Sequence, residues 1–137
     1  MNIVISIKPE FTSLILSGKK TIEMRSKIGK KFTTDANLII YSSTPNKAIV
    51  AVAKIKGIQH VMKNDITPSH LEKVCISTHF FEDYMSSRHS CYLIELKNVQ
   101  SLKTPIPLSE LKVINFTAPQ SFCYASYDLI SLVNSYI

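Results

Sequence analysis

A chain of 137 residues, 45% hydrophobic and 19% charged, has the size and mix of one globular unit and holds no apolar run of the roughly 18 residues a membrane helix needs. The net charge of +6 suits an anionic partner, with basic residues gathered early at Lys19, Lys20, Arg25, Lys27, Lys30 and Lys31. Three cysteines without a CxxC pair argue against a disulfide framework and a zinc ribbon, and with no secretory leader at the N-terminus the expected compartment is the cytoplasm.

Taken in chain order, "NIVISI" (2–7) is apolar and β-branched and reads as a buried strand. Pro9 suits a first helical turn, and Phe11, Leu14 and Ile15 recur at helical spacing up to a terminating "SG". "KTIEMR" alternates Ile22 and Met24 against Thr21, Glu23 and Arg25, so the polar three share one face of a strand. Lys20 precedes that strand at the glycine turn, where its long side chain can swing toward the same region. "GKKFTTDA" is a polar connection, and "NLIIYSST" and "KAIVAVAKIKGI" form an antiparallel pair about a turn containing Pro45 and Asn46.

Between His60 and Met85 the spacing predicts one or two short helices, the first capped by Thr67 with Pro68 at its first position, the second starting near Ser77 or Thr78. "SCYLIELKNV" is a strand, "TPIPLSEL" an extended segment stiffened by two prolines, and "APQSFCY" irregular. Leu129, Leu132, Val133 and Tyr136 place an extra terminal helix within 126–137. The expected fold is a single α+β domain over 1–137, built on a curved antiparallel sheet or partly closed barrel with peripheral helices.

Most chemical templates are absent. There is no phosphate-binding glycine loop, no nucleophile elbow and no H-E-x-x-H, and the spacing of Cys75, His79, His89 and Cys91 matches no standard zinc site. Neither metal nor cofactor is expected. What remains is Lys20, Glu23 and Arg25: a lysine beside a carboxylate can act as an acid/base pair, and an arginine fork can grip a phosphate or carboxylate. The plain alternative is a salt-bridged solvent face.

"GKKTIEMR" resembles the G-x-K-x-x-E-x-R signature of the ASCH superfamily, with Gly18, Lys20, Glu23 and Arg25 at its four positions. The flanks resemble it too: "SIKPEFTSLILSGKKTIEMR" the N-terminal strand and helix, "LIIYSSTPNKAIVAVAKI" the tyrosine-bearing strand pair, and "LSEL" with "PQSF" the end of a bacterial, archaeal and phage subgroup. The likeness covers about 2–124. It implies a PUA-like β-barrel with peripheral helices, a cleft receiving the signature residues, and binding of RNA or modified nucleosides. One enzymatic branch deacetylates N4-acetylcytidine with a lysine, a threonine and a glutamate, and other members are associated with ribonuclease action. Here Glu23 stands where that threonine nucleophile is expected, and a carboxylate cannot replace a hydroxyl in forming an ester intermediate. Glu72 and Glu82 are both candidates for the third position.

Three functions follow. The first is a binding module for RNA or a nucleotide or nucleoside, in which Lys20 and Arg25 contact phosphate, Glu23 accepts from a base amine, and Tyr41 or Phe122 offers a stacking face. The second is a hydrolase, with Lys20 and Glu23 as the acid/base pair, Arg25 stabilising negative charge and Ser43 among the hydroxyls at hand. The third is a regulatory interaction protein with a vestigial cleft. The oligomeric state stays open among them.

Overall fold

In the computed structural model, which describes residues 1–137, "NIVISI" is strand β1 (Asn2–Ile7). Ile3, Ile5 and Ile7 enter one core and Val4 another. A strand covered on both faces shows a continuous apolar run rather than alternation, as this sequence does. Pro9 opens α1 (Pro9–Leu16), and Gly18 turns the chain out of it at φ +84°, a left-handed conformation that a Cβ would strain.

The remaining strands are β2 (Ile22–Arg25), β3 (Asn37–Ser42), β4 (Ala48–Met62), β5 (Ser90–Pro107) and β6 (Phe122–Tyr124), in one sheet of order β2-β5-β4-β3-β1-β6. Four of its five pairings are antiparallel, in keeping with the curved antiparallel sheet expected, and β1 and β3 run parallel. The intervening α1 and β2 supply the long crossover that a parallel pair requires. Register shifts along β4 and β5 at Ile49/Ala51, Val52/Lys54 and Ile55/Gly57 mark bulges, which bend the long strands and curl the sheet into a half-barrel.

Three elements differ from their sequence-based expectation. β4 continues through His60 to Met62, and the proline-bearing segment splits into the end of β5 and a short helix, α4 (Leu108–Leu111). The stretch read as irregular contains β6, whose three residues pair with Ile3, Val4 and Ile5 of β1. So short a pairing is specified by its partner strand and leaves no periodicity of its own.

α2 (Pro68–Val74) and α3 (Thr78–Tyr84) begin where expected, with Thr67 accepting from the His70 amide and Ser77 from the Phe80 amide. Together they cover Ile22 and Met24, packing Val74, Phe81 and Met85 against Cys91 and Leu93. The terminal helix α5 (Tyr127–Asn134) docks Leu129 and Val133 onto Val4, Ile39 and Ile49. No helix is long and apolar enough to cross a membrane.

Candidate functional site

β2 is one edge of the half-barrel and β6 the other, and the signature residues lie across the gap between them. The alternation in β2 sends Ile22 and Met24 under the α2–α3 pair and Glu23 and Arg25 to the opposite face, as the sequence pattern predicts. Arg25 Nε donates to Glu23 Oε2 at 2.8 Å, one terminal nitrogen donates to the Ser6 carbonyl on β1 at 2.6 Å, and the other to Ser121 Oγ at 3.0 Å. The guanidinium thus ties one sheet edge to the other.

Lys20 is only 3% exposed, and its ammonium is hydrogen-bonded and charge-paired inside the chain. Nζ donates to the Val74 carbonyl at 2.8 Å and the Ile22 carbonyl at 2.9 Å, sits 3.2 Å from Glu23 Oε1, and lies over the Phe11 ring. Two of its three protons are thus given to backbone carbonyls, and its charge is met by the Glu23 carboxylate. Glu23 likewise divides its two oxygens between Lys20 and Arg25. A buried charge set is tolerable only when paired and hydrogen-bonded in this way.

Beside this brace opens a cavity of about 530 Å³. Lys20, Glu23 and Arg25 form part of its wall, and Tyr41, Ser43, Thr44 and Lys47 from the β3–β4 hairpin form another part. Lys47, exposed at φ +47°, and Lys8, exposed at the start of α1, make no ion pair with any carboxylate of the chain. Tyr41 is 3% exposed with its ring against Phe116, yet its hydroxyl has no protein partner and is not sealed from the cavity. Burial pushes the Tyr41 phenol above its ordinary value.

The other residues singled out by sequence are placed as follows. Ser43 lines the cavity, while Phe122 packs edge-on against Phe32, with ring centres 4.9 Å apart, and is not part of the cavity wall. Glu72 and Glu82 are both exposed and outside the cavity, and Glu82 faces Lys63 at 3.4 Å. Cys75, His79, His89 and Cys91 form no group of three possible metal ligands. Burial raises the Cys91 and Cys123 thiols, which holds them protonated and unreactive. Sequence reasoning passed over Lys47, Lys8, Phe80 and Tyr84, all of which line the cavity.

The family model described as "Domain of unknown function (DUF365)" matches residues 1–115. A Zymomonas mobilis protein named "ASCH domain-containing ribonuclease" is 32% identical over 123 residues, spanning 88% of this chain and 82% of the relative. The crystal structure of ASCH from Zymomonas mobilis matches with a TM-score of 0.89 at 29% identity, covering 98% of this chain and 94% of that one. A Pseudomonas putida protein at 11% identity, covering 99% of both chains with a TM-score of 0.61, shares the fold.

Proposed function

The chain belongs to the ASCH domain family, and from that premise we propose that it binds RNA in the cavity and cleaves the phosphodiester held there. One observation carries this reading: two unpaired lysines, Lys8 and Lys47, and an unpartnered phenol, Tyr41, line the same cavity. Ammonium and hydroxyl donors that have no protein acceptor are what a phosphate oxygen requires. The relative named as a ribonuclease, 32% identical over most of both chains, adds the reaction class.

In this reading the adjacent ribose 2′-hydroxyl attacks the phosphorus as the bond to the departing 5′ oxygen breaks, leaving a 2′,3′-cyclic phosphate, with the 2′ proton passing to water. Lys47 and Ser43 hold the phosphate and offset the charge that develops on it, and the Tyr41 phenol donates its proton to the departing oxygen. Lys20 and Glu23 act as positioning residues: their hydrogen bonds fix β2 and hold Arg25 across the mouth of the cavity. Deacylation of a nucleoside through Lys20 is less well supported, because its ammonium is buried, bonded to the Val74 and Ile22 carbonyls and charge-paired with Glu23. RNA and three unpaired cysteines also fit a cytoplasmic setting.

The test is incubation of the purified full chain with a single-stranded RNA oligonucleotide, alongside Lys47→Ala and Tyr41→Phe. RNA binding by wild type that weakens in Lys47→Ala, with cleavage lost in Tyr41→Phe, supports the reading. Absence of RNA binding by wild type, or equal cleavage by all three, overturns it.

A further inference from the structure

The hairpin-side polar lining of the cavity and its exposed aromatic lining come from different parts of the chain. Lys8, Ser43, Thr44 and Lys47 are contributed by the start of α1 and the β3–β4 turn, while Ile76, Phe80 and Tyr84 come from α3 and its approach. Residues four apart lie on one face of a helix, so Phe80 and Tyr84 form one stripe and Phe81 and Met85 a second. Phe81 and Met85 are 5% and 0% exposed and anchor α3 to the core. Phe80 contributes nothing to that anchor and stands 46% exposed at the cavity.

Tyr84 is held in place from two sides. Its hydroxyl accepts from the Ser26 amide at 3.0 Å, just past the end of β2, and the Arg88 guanidinium covers its ring with a centroid distance of 4.5 Å. α3 is thereby fastened across the free edge of β2, so that Phe80 is presented from a fixed wall rather than a loose one.

We infer that the α3 wall is the nucleobase subsite of the cavity, with Phe80 as its stacking face and Lys47 and Ser43 at the phosphate end. This rests on the RNA reading above. An aromatic ring left half exposed in a concave site that also holds unpaired cations complements a ligand that is flat and apolar at one end and anionic at the other, which describes one nucleotide. A volume of about 530 Å³ falls in the range of sites that enclose a single small ligand, so the base must be unpaired to enter. Base preference, on this assignment, is set by the α2–α3 segment and is separable from phosphate affinity.

The experiment is calorimetric titration of the full chain and of Phe80→Ala, Phe80→Tyr and Lys47→Ala with three probes: a single-stranded RNA oligonucleotide, adenosine, and ribose 5-phosphate. Phe80→Ala is expected to weaken adenosine and RNA binding about 5- to 140-fold, the range of one lost stacking contact, and to leave ribose 5-phosphate unchanged. Phe80→Tyr keeps an aromatic face and should restore adenosine binding, while Lys47→Ala should weaken ribose 5-phosphate and spare adenosine. Adenosine binding unaltered by Phe80→Ala, with RNA still bound by wild type, overturns the base subsite and leaves the RNA reading standing. A wild-type chain that binds none of the probes overturns both.

Discussion

Two polar groups of residues face the same cavity, and their hydrogen-bond accounts are opposite. In the brace of Lys20, Glu23 and Arg25, every donor and acceptor named above is met inside the chain, by Val74, Ile22, Ser6, Ser121 or a fellow member. At the hairpin rim, Lys47 has no carboxylate and Tyr41 no partner for its hydroxyl. Charges at the brace are satisfied within the fold, and those at the rim remain unpaired. Proximity to a cavity therefore says less about function than whether a group's valences are already filled.

The sharpest way to break this comparison is at the centre of the brace. Glu23→Ala leaves Lys20 buried without its counter-charge and Arg25 without the acceptor of its Nε, and it should cost about 3–5 kcal/mol in chemical denaturation. A loss below about 1 kcal/mol would show that the brace is no more than a surface ion pair.

Tyr41→Phe probes the rim. It removes a hydroxyl that bonds to nothing in the protein, so unfolding free energy should change by less than about 1 kcal/mol, whereas RNA cleavage should fall about 10²-fold or more. A smaller effect belongs to pH. The folded phenol is raised above its ordinary value near 10, so the fold favours the protonated form. That contribution is complete below about pH 10 and is lost as pH rises through the folded value, so Tyr41→Phe should flatten part of the alkaline decline in stability. Tyr136, also raised, by its hydrogen bond to Glu110, continues to titrate in the variant. An alkaline profile identical in the two proteins would place the decline elsewhere.

Much of the brace was legible because it is local. A period of two put Glu23 and Arg25 on one face of β2, and the turn at Gly18 let Lys20 join them. Its closure was not legible, since Val74, Ser6 and Ser121 are brought in by α2, β1 and the approach to β6. Lys47 looked like any solvated turn lysine, and only the curl of the sheet puts it at a cavity. Phe80 did leave a trace. A seven-residue helix with an apolar pair at 80/84 beside a second formed by Phe81 and the capping Met85 carries one more stripe than a single core contact requires. Tyr41 and Phe122 were both read as possible stacking faces, but ring packing against Phe116 and Phe32 depends on strand pairings far apart in sequence.

The most direct test pairs one lysine from each group. Lys20→Met and Lys47→Met each remove one charge and keep an unbranched stem, and each variant would be measured for unfolding free energy and for affinity to single-stranded RNA at a fixed salt concentration. Lys20→Met is expected to lose about 3 kcal/mol of stability by stranding Glu23 and two carbonyls, with RNA affinity nearly kept wherever the protein is folded. Lys47→Met is expected to stay within about 0.5 kcal/mol of wild type in stability while RNA affinity falls and its salt dependence shallows by about one charge. The reverse pattern, with Lys20→Met stable but unable to bind RNA and Lys47→Met binding normally, would contradict the division between brace and rim.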